Sequence, residues 1–200
     1  MEAQPLAIPV SAEQAPPADI PLTVDNLIKY SEVGMLKRAF ARYLVPEHPD
    51  LAVRMHKRLG TPLLKSAVMA TAGKLRNSRF EREHGSNYHI GTQGDRLNQM
   101  STFAFTRSVY NELIHTGAAA INAGWGGAEL ASGDRLGAAI QAGFLAVNAA
   151  LVSVQRYNRA RTVEVIDDQL EAGERIRPYQ RNLLGIDYKA QRNIDELNSR

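Results

Sequence analysis

The stretch from Leu136 to Gln155, LGAAIQAGFLAVNAALVSVQ, runs for twenty residues without a charged side chain, and Arg135 and Arg156 flank it. Its large apolar residues step by four and three, which places them along one stripe of an α-helix. The stripe consists of Leu136, Ile140, Phe144, Val147, Leu151 and Val154. A helix of this length can be buried in a core, contact another subunit, or cross a bilayer, which takes about 20 apolar residues.

A neighbouring face of the same helix carries small residues and two amides. Small side chains at every fourth position allow a second helix to approach closely. We therefore predict a helix-packing interface formed by Ala138, Ala142, Ala146, Ala150, Gln141 and Asn148. Amides inside a bilayer need partners on a neighbouring helix. This composition favours a buried helix first, a subunit contact second and membrane insertion third.

The segment that precedes this stretch is also apolar and rich in small residues. Five glycines stand between residues 117 and 133. Because glycine is the common residue of turns, we expect a turn or hinge around Trp125. Residues 112–155 are then predicted to form a helical hairpin.

The composition indicates one all-α domain. The chain has 200 residues, 6% aromatic residues and no cysteine, so it can bury a core but has no disulfide or thiolate site. We predict a bundle-like helical domain over residues 23–172, an extended arm over 1–22, and a protruding amphipathic C-terminal helix within 173–200. The N-terminus lacks the basic and apolar pattern of a secretory signal, so we expect cytoplasmic synthesis.

The predicted arm is rich in proline and acidic. Residues 1–22 hold five of the nine prolines, and residues 1–25 carry four acidic side chains and no Lys or Arg. Proline disfavours helices and central strands. The arm is either a disordered tail or an extended segment that docks on the basic region of its own or a neighbouring subunit. Its apolar anchors would be Leu6, Ile8, Val10, Ile20 and Leu22.

Helix start and stop signals divide the first part of the domain. Thr23 or Asp25 can cap a helix that runs to Tyr43 and ends at Pro46. A shorter helix follows and ends at Gly60. Another begins at Thr61 and Pro62, and residues 82–95 read as a loop with three glycines.

Residues 26–80 form a basic region. They contain eleven Lys or Arg and three acidic residues, for a net charge of +8. Such cations can bind phosphates of a nucleic acid or an acidic partner, although a solvated helix face carries the same pattern. The candidate contacts are Lys37, Arg38, Arg42, Arg54, Lys57, Arg58, Lys65, Lys74, Arg76 and Arg79.

Catalytic and cofactor motifs are weak. His84 and His89 are five residues apart in the predicted loop, whereas a zinc-binding helix places two histidines four apart. The GTQGDR segment lacks the Lys-Ser/Thr ending of a phosphate loop. We expect no catalytic site, metal, cofactor or small-molecule substrate. A hydrolase centred on Glu81, Glu83 and His84 is an alternative.

These features together favour a non-enzymatic structural or assembly protein of a larger homo-oligomeric complex. Its partners would be copies of itself and other subunits. The most concrete version is a bacteriophage virion component, such as an internal, connector or ejection-type protein. One alternative is a helical protein that binds DNA through residues 29–79. Another is a membrane-inserting helical hairpin.

Overall fold

The computed structural model describes residues 19–75, 90, 95–178 and 183–200. Within these ranges every regular element is a helix, which confirms the all-α prediction. The helices form a head, from which one long hairpin projects.

Four helices make up the first part of the head. They are α1 (Val24–Lys29), α2 (Met35–Leu44), α3 (Pro49–Arg58) and α4 (Thr61–Leu75). Thr23 caps α1, because its hydroxyl accepts a hydrogen bond from the Asn26 amide at 3.3 Å. The ends of α3 and α4 agree with the predicted stop at Gly60 and start at Thr61.

The predicted helix from Thr23 to Tyr43 is interrupted in the structure. Ser31 turns its hydroxyl back onto the Ile28 carbonyl at 2.7 Å, and Gly34 with extended backbone begins the next helix. This break rotates α2 so that Met35 and Leu36 face outward, while Ala41 and Leu44 are buried. The apolar spacing alone could not show that break.

The remaining helices form the hairpin and the C-terminus. They are α5 (Arg96–Thr102), a π-helical turn (Phe103–Arg107), α6 (Ser108–Ala131), α7 (Arg135–Glu171) and α8 (Tyr188–Asn198). The segment from α5 through the π-turn to α6 is one continuous helix, which pairs antiparallel with α7. Asp95 caps α5 and Asp134 caps α7, because each carboxylate accepts a hydrogen bond from a backbone amide of the helix that follows it.

In the structure α6 and α7 form a hairpin, and its turn lies later in the chain than predicted. The glycines around Trp125 lie inside α6, and the chain reverses at residues 132–134, where Gly133 has φ +88°. A side chain on Gly126 would stand 3.1 Å from the Cβ of Gln141. This glycine therefore allows α6 and α7 to approach each other closely and does not form a turn.

The main core lies where α1, α2, α5, the π-turn and α8 meet the last part of α7. Buried residues on α7 are Val163, Ile166 and Leu170, which pack against apolar residues of the other helices. The following turn ends α7 at Gly173, whose φ is +92°. We call residues 103–112 and 154–171 the root of the hairpin.

The C-terminal helix does not protrude as predicted. Ala190 and Ile194 of α8 are fully buried, and the Asn193 amide donates to the Tyr30 carbonyl at 3.0 Å. Its amphipathic character is satisfied within the head, because its apolar side completes the main core. The projecting element is instead the hairpin.

The described end of the arm lies on the same chain. Ile20 exchanges two hydrogen bonds with the Asn198 side chain, at 2.8 and 3.0 Å. Ile20 and Leu22 also pack against the main core, as apolar anchors should. The rest of the arm and most of the predicted loop over 82–95 lie outside the described residues.

Candidate functional site

The far part of the hairpin extends away from the head, and we call residues 113–153 the shaft. Its helix α7 is long and apolar enough to cross a membrane, and only 6% of its most apolar window is buried. A core helix with that composition would be mostly buried. The first interpretation of Leu136 to Gln155, a helix buried in a core, is therefore wrong for most of its length.

Large apolar side chains cover the outer surface of the shaft. Their exposed fractions lie between 43% and 73%. They are Leu113, Ile114, Ile121, Trp125, Leu130, Leu136, Ile140, Phe144 and Val147. Contiguous apolar surface on this scale marks a region that contacts protein or lipid.

The interior of the shaft, between its two helices, holds polar and small side chains. His115 Nδ1 and Asn148 Oδ1 are 2.9 Å apart across the helix pair. The Asn148 amide also donates to the Phe144 carbonyl, and the Asn122 amide donates to the Ala118 carbonyl. The shaft thus largely reverses the usual arrangement, with polar groups and Leu145 between its helices and most of its large apolar groups outside.

The structure places part of the predicted helix-packing interface between α6 and α7. Ala138, Gln141, Asn148 and Ala150 are half-buried, whereas Ala142 and Ala146 are exposed. Four residues advance a helix by about 400°, so a ladder with spacing four winds out of the contact. The contacting face follows the 3–4 spacing of Ala138, Gln141, Leu145 and Asn148 instead.

A buried ionic group closes the shaft where it enters the head. The Glu112 carboxylate binds Arg156 Nε and Arg159 at 2.7 Å each. Arg159 also donates to the Leu44 carbonyl at 2.9 Å and to the Ser108 hydroxyl at 3.0 Å. These bonds tie both helices of the hairpin to α2.

The two ends of this group differ in their surroundings. Glu112 and Arg159 have side chains only 3% and 0% exposed, whereas Arg156 reaches the surface and donates to the Tyr43 hydroxyl at 2.9 Å. Burial lowers the pKa of Arg159, and the adjacent Glu112 charge opposes that shift. Glu112 is thus the counter-charge that lets a guanidinium stay buried in the root.

Sequence reasoning missed this ionic group, although a signal was present. Glu112 is the last charge before residues 113–128, and Arg156 is the first charge after residues 136–155; both runs are free of charge. In a hairpin with a turn at 132–134, the two positions lie opposite each other. With the turn predicted near Trp125, Glu112 and Arg156 are not opposite each other, so their pairing was not predicted.

A second missed cluster joins α3, α4 and α7. His56 Nδ1 lies 3.3 Å from the Ser153 hydroxyl and 3.4 Å from the Thr61 hydroxyl, and those hydroxyls are 3.3 Å apart. Burial, with a smaller effect from the Arg156 charge, lowers the pKa of His56, so the ring is neutral at pH 7. The cluster fixes the turn between α3 and α4 against the last residue of the shaft.

The described basic residues of the region 26–80 differ in exposure and in partners. Lys37, Arg42, Arg54, Lys57 and Arg58 are exposed, and Arg38 and Lys65 are half-buried. Arg38 donates to the Ser31 carbonyl at 2.9 Å, and Lys65 lies over the Tyr157 ring. The Lys74 side chain, Arg76, Arg79, Glu81, Glu83 and His84 lie outside the described residues, so the structure does not place them.

Among the described residues, no group of three or more His, Asp or Glu side chains could hold a metal ion. Comparison with known proteins gives no relative: no family model, no curated protein and no solved structure matches the chain.

Proposed function

We propose that this protein acts without catalysis, by inserting its shaft into a lipid bilayer as a two-helix hairpin. The observation that carries the proposal is the reversed polarity of residues 113–153. Leaving large apolar side chains in water is unfavourable by about 25 cal/mol for each Å². A bilayer removes that cost over the entire outer surface, whichever direction a side chain points.

The dimensions of the shaft support this proposal. Residues 136–153 of α7 rise about 27 Å at 1.5 Å each, which is close to the ~30 Å thickness of the hydrocarbon core. Charges occur only near the ends: Glu129, Asp134 and Arg135 at the tip, and Glu112 and Arg156 at the root. A fully inserted shaft would place both sets near the headgroups.

The polar interior supports the same environment. An amide or imidazole in hydrocarbon is costly unless a protein group satisfies it. His115 and Asn148 satisfy each other across the pair, and Asn122 bonds within its own helix. The two helices can therefore enter lipid together, although each alone would expose polar groups.

Trp125 provides a direct test, because it is the single tryptophan of the chain and lies on the outer surface of the shaft. We expect its fluorescence to shift to the blue and to resist an aqueous quencher when phosphatidylcholine vesicles are added. Val147→Asp should weaken vesicle binding roughly a hundredfold, since a charge near the bilayer centre is strongly unfavourable. An unshifted spectrum with vesicles in excess would refute insertion.

A second candidate is that copies of the chain cover each other's shafts in a homo-oligomeric assembly, of which a virion component is the most concrete version. Exposed small residues at Gly117, Gly124, Ala142, Gly143 and Ala146 favour it, because they let a helix from another copy approach closely. This candidate predicts the blue shift of Trp125 without lipid, together with a mass several times that of one chain. A monomer in water whose spectrum changes only with vesicles would refute it.

A further inference from the structure

The turn between α3 and α4 lies beside Ser153, the last residue of the shaft. On α3, Val53 packs with Tyr157 and Ala160, while His56 contacts Ser153, so α3 runs toward the shaft. On α4, Thr61 contacts Ser153 and Lys65 lies over Tyr157, so α4 runs back. The turn at residues 57–60 therefore stands level with the end of the charge-free part of α7.

Two adjacent cations and three apolar side chains lie on this turn or next to it, and all five are exposed. We call the set the collar: Met55, Lys57, Arg58, Leu59 and Leu63. Arg54 is left out, because it already binds Asp50 at 2.6 Å. The polar cluster of His56, Thr61 and Ser153 fixes the collar against α7, which sets its height relative to the shaft.

We infer that the collar binds the phosphates of anionic lipid headgroups when the shaft is inserted. The inference rests on the proposed function, which sets where the bilayer surface lies. At that level Lys57 and Arg58 meet the headgroup phosphates, while Leu59 and Leu63 reach the upper acyl chains. Charge complementarity selects lipid that is anionic, since each cation near such a surface strengthens binding.

The Arg156 side chain extends the same arrangement across the root. It lies against the Tyr43 ring, 5.2 Å from its centroid, and both are exposed in part. Tyrosine prefers the interface between hydrocarbon and water. This pair therefore adds an aromatic ring from α2 and a cation from α7 close to the level of Ser153.

The test compares vesicles of phosphatidylcholine with vesicles that also contain phosphatidylserine, using the full chain and the Trp125 fluorescence. We expect the wild type to bind the anionic vesicles more tightly, and Lys57→Gln with Arg58→Gln to lose most of that gain. At roughly fivefold for each cation, the double variant should bind anionic vesicles roughly 25-fold more weakly. Its binding to neutral vesicles should be unchanged, and added salt should reduce the gain of the wild type.

A matched control removes two exposed cations elsewhere on the head. Lys37 lies beside Gly185, and Arg175 follows the end of α7 that is farther from the shaft. Lys37→Gln with Arg175→Gln changes the net charge equally and should keep the preference for anionic vesicles. If both double variants weaken binding alike, net charge and not the collar is responsible, and the inference is overturned.

Two further outcomes distinguish a failure of the collar inference from a failure of the proposed membrane insertion. Insertion into both vesicles with equal affinity, unaffected by Lys57→Gln with Arg58→Gln, overturns the collar and leaves insertion standing. The absence of any Trp125 shift overturns both. Binding of a short DNA duplex that depends on Lys57 and Arg58, without a lipid preference, would assign the collar to nucleic acid and overturn the inference.

Discussion

The two halves of α7 differ in how far their apolar side chains are buried, although the helix is uninterrupted. In the root, Val163 is 1% exposed and its apolar neighbours line the main core. In the shaft, Val147 is 57% exposed, while Asn148 beside it turns inward to His115. One helix therefore meets two different surroundings along its length.

This contrast shows what the backbone decides and what it does not. The α-helix satisfies its amide and carbonyl groups within itself, so the same backbone is stable in water, in a protein core and in hydrocarbon. The choice of which face is buried comes from the neighbouring groups. In the root, several helices of the head supply them; in the shaft the neighbour is α6, with α3 and α4 in contact at Ser153.

The charges show the same division. The root buries Glu112 with Arg159, and such a pair needs additional hydrogen bonds, which Leu44 and Ser108 supply. The shaft carries charges only at its tip. A charged side chain inside the shaft would have no polar groups from the head of the protein to pair with.

The largest contrast is expected from one substitution at two positions of α7. Val163→Asp places a charge in the main core without a partner and should lower the free energy of unfolding by about 5 kcal/mol or prevent folding. Val147→Asp lies on exposed surface and should change it by less than about 0.5 kcal/mol in water. Urea unfolding followed by circular dichroism measures both. Similar losses from the two variants would mean that the shaft is buried in water by another copy.

The buried ionic group gives the next effect. Glu112→Gln leaves Arg159 buried without its counter-charge, so we expect a loss of about 3–5 kcal/mol in the free energy of unfolding. Glu174→Gln, at an exposed position after α7, is the matched control and should be nearly neutral. The same urea experiment applies. A neutral result for Glu112→Gln would show that the pair does not hold the hairpin to the head.

The sequence predicted the parts of the fold that depend on local patterns. The all-α class, the hairpin, the Thr23 cap and the stop at Gly60 each rest on residue spacing or on a capping residue. The position of the turn and the break after α1 depend on longer-range packing. From the sequence alone, Gly126 is interpreted as a turn residue. Only the structure shows that it lies against Gln141 of the other helix.

The candidate site was predictable only in part. The charge-free stretch was visible from residue 136 to 155, and its contact face included Gln141 and Asn148. Its exposure was not visible, because an apolar run has the same composition whether a core covers it or not. The Glu112 group could be found only after the hairpin turn was placed, since its members are far apart in the chain.

A smaller effect is expected from pH, through a carboxylate in the root. Burial raises the pKa of Asp167 to about 6; the Val24 amide, which donates to it at 2.7 Å, opposes the shift, while Glu171, Asp168 and Asp25 add to it. Because the folded state binds this proton more tightly, protonation stabilises the fold, and that stability is lost as pH rises through about 6. From pH 5 to 7, the contribution should fall by roughly 1 kcal/mol.

Asp167→Asn isolates that contribution. The asparagine oxygen can still accept from Val24, but it carries no charge, so the variant should be more stable than the wild type at both pH values, with a gain roughly 1 kcal/mol larger at pH 7 than at pH 5. Thermal unfolding at the two pH values measures the difference. The comparison between variants removes the opposing effect of His56, whose lowered pKa makes acid unfavourable. An equal gain at both pH values would contradict the titration of Asp167.

The smallest effect concerns the polar interior of the shaft. Asn148→Ala removes the bond to His115, and side-chain bonds between helices in lipid contribute about 0.6 kcal/mol on average. We therefore expect amides of residues 113–153 to exchange roughly threefold faster in vesicle-bound protein, with no change in the root. Asn122→Ala is the control, because the Asn122 side chain bonds to Ala118 within its own helix. If both variants accelerate exchange equally, the cross-helix bond does not hold the shaft together, and its polar interior must be stabilised by packing alone.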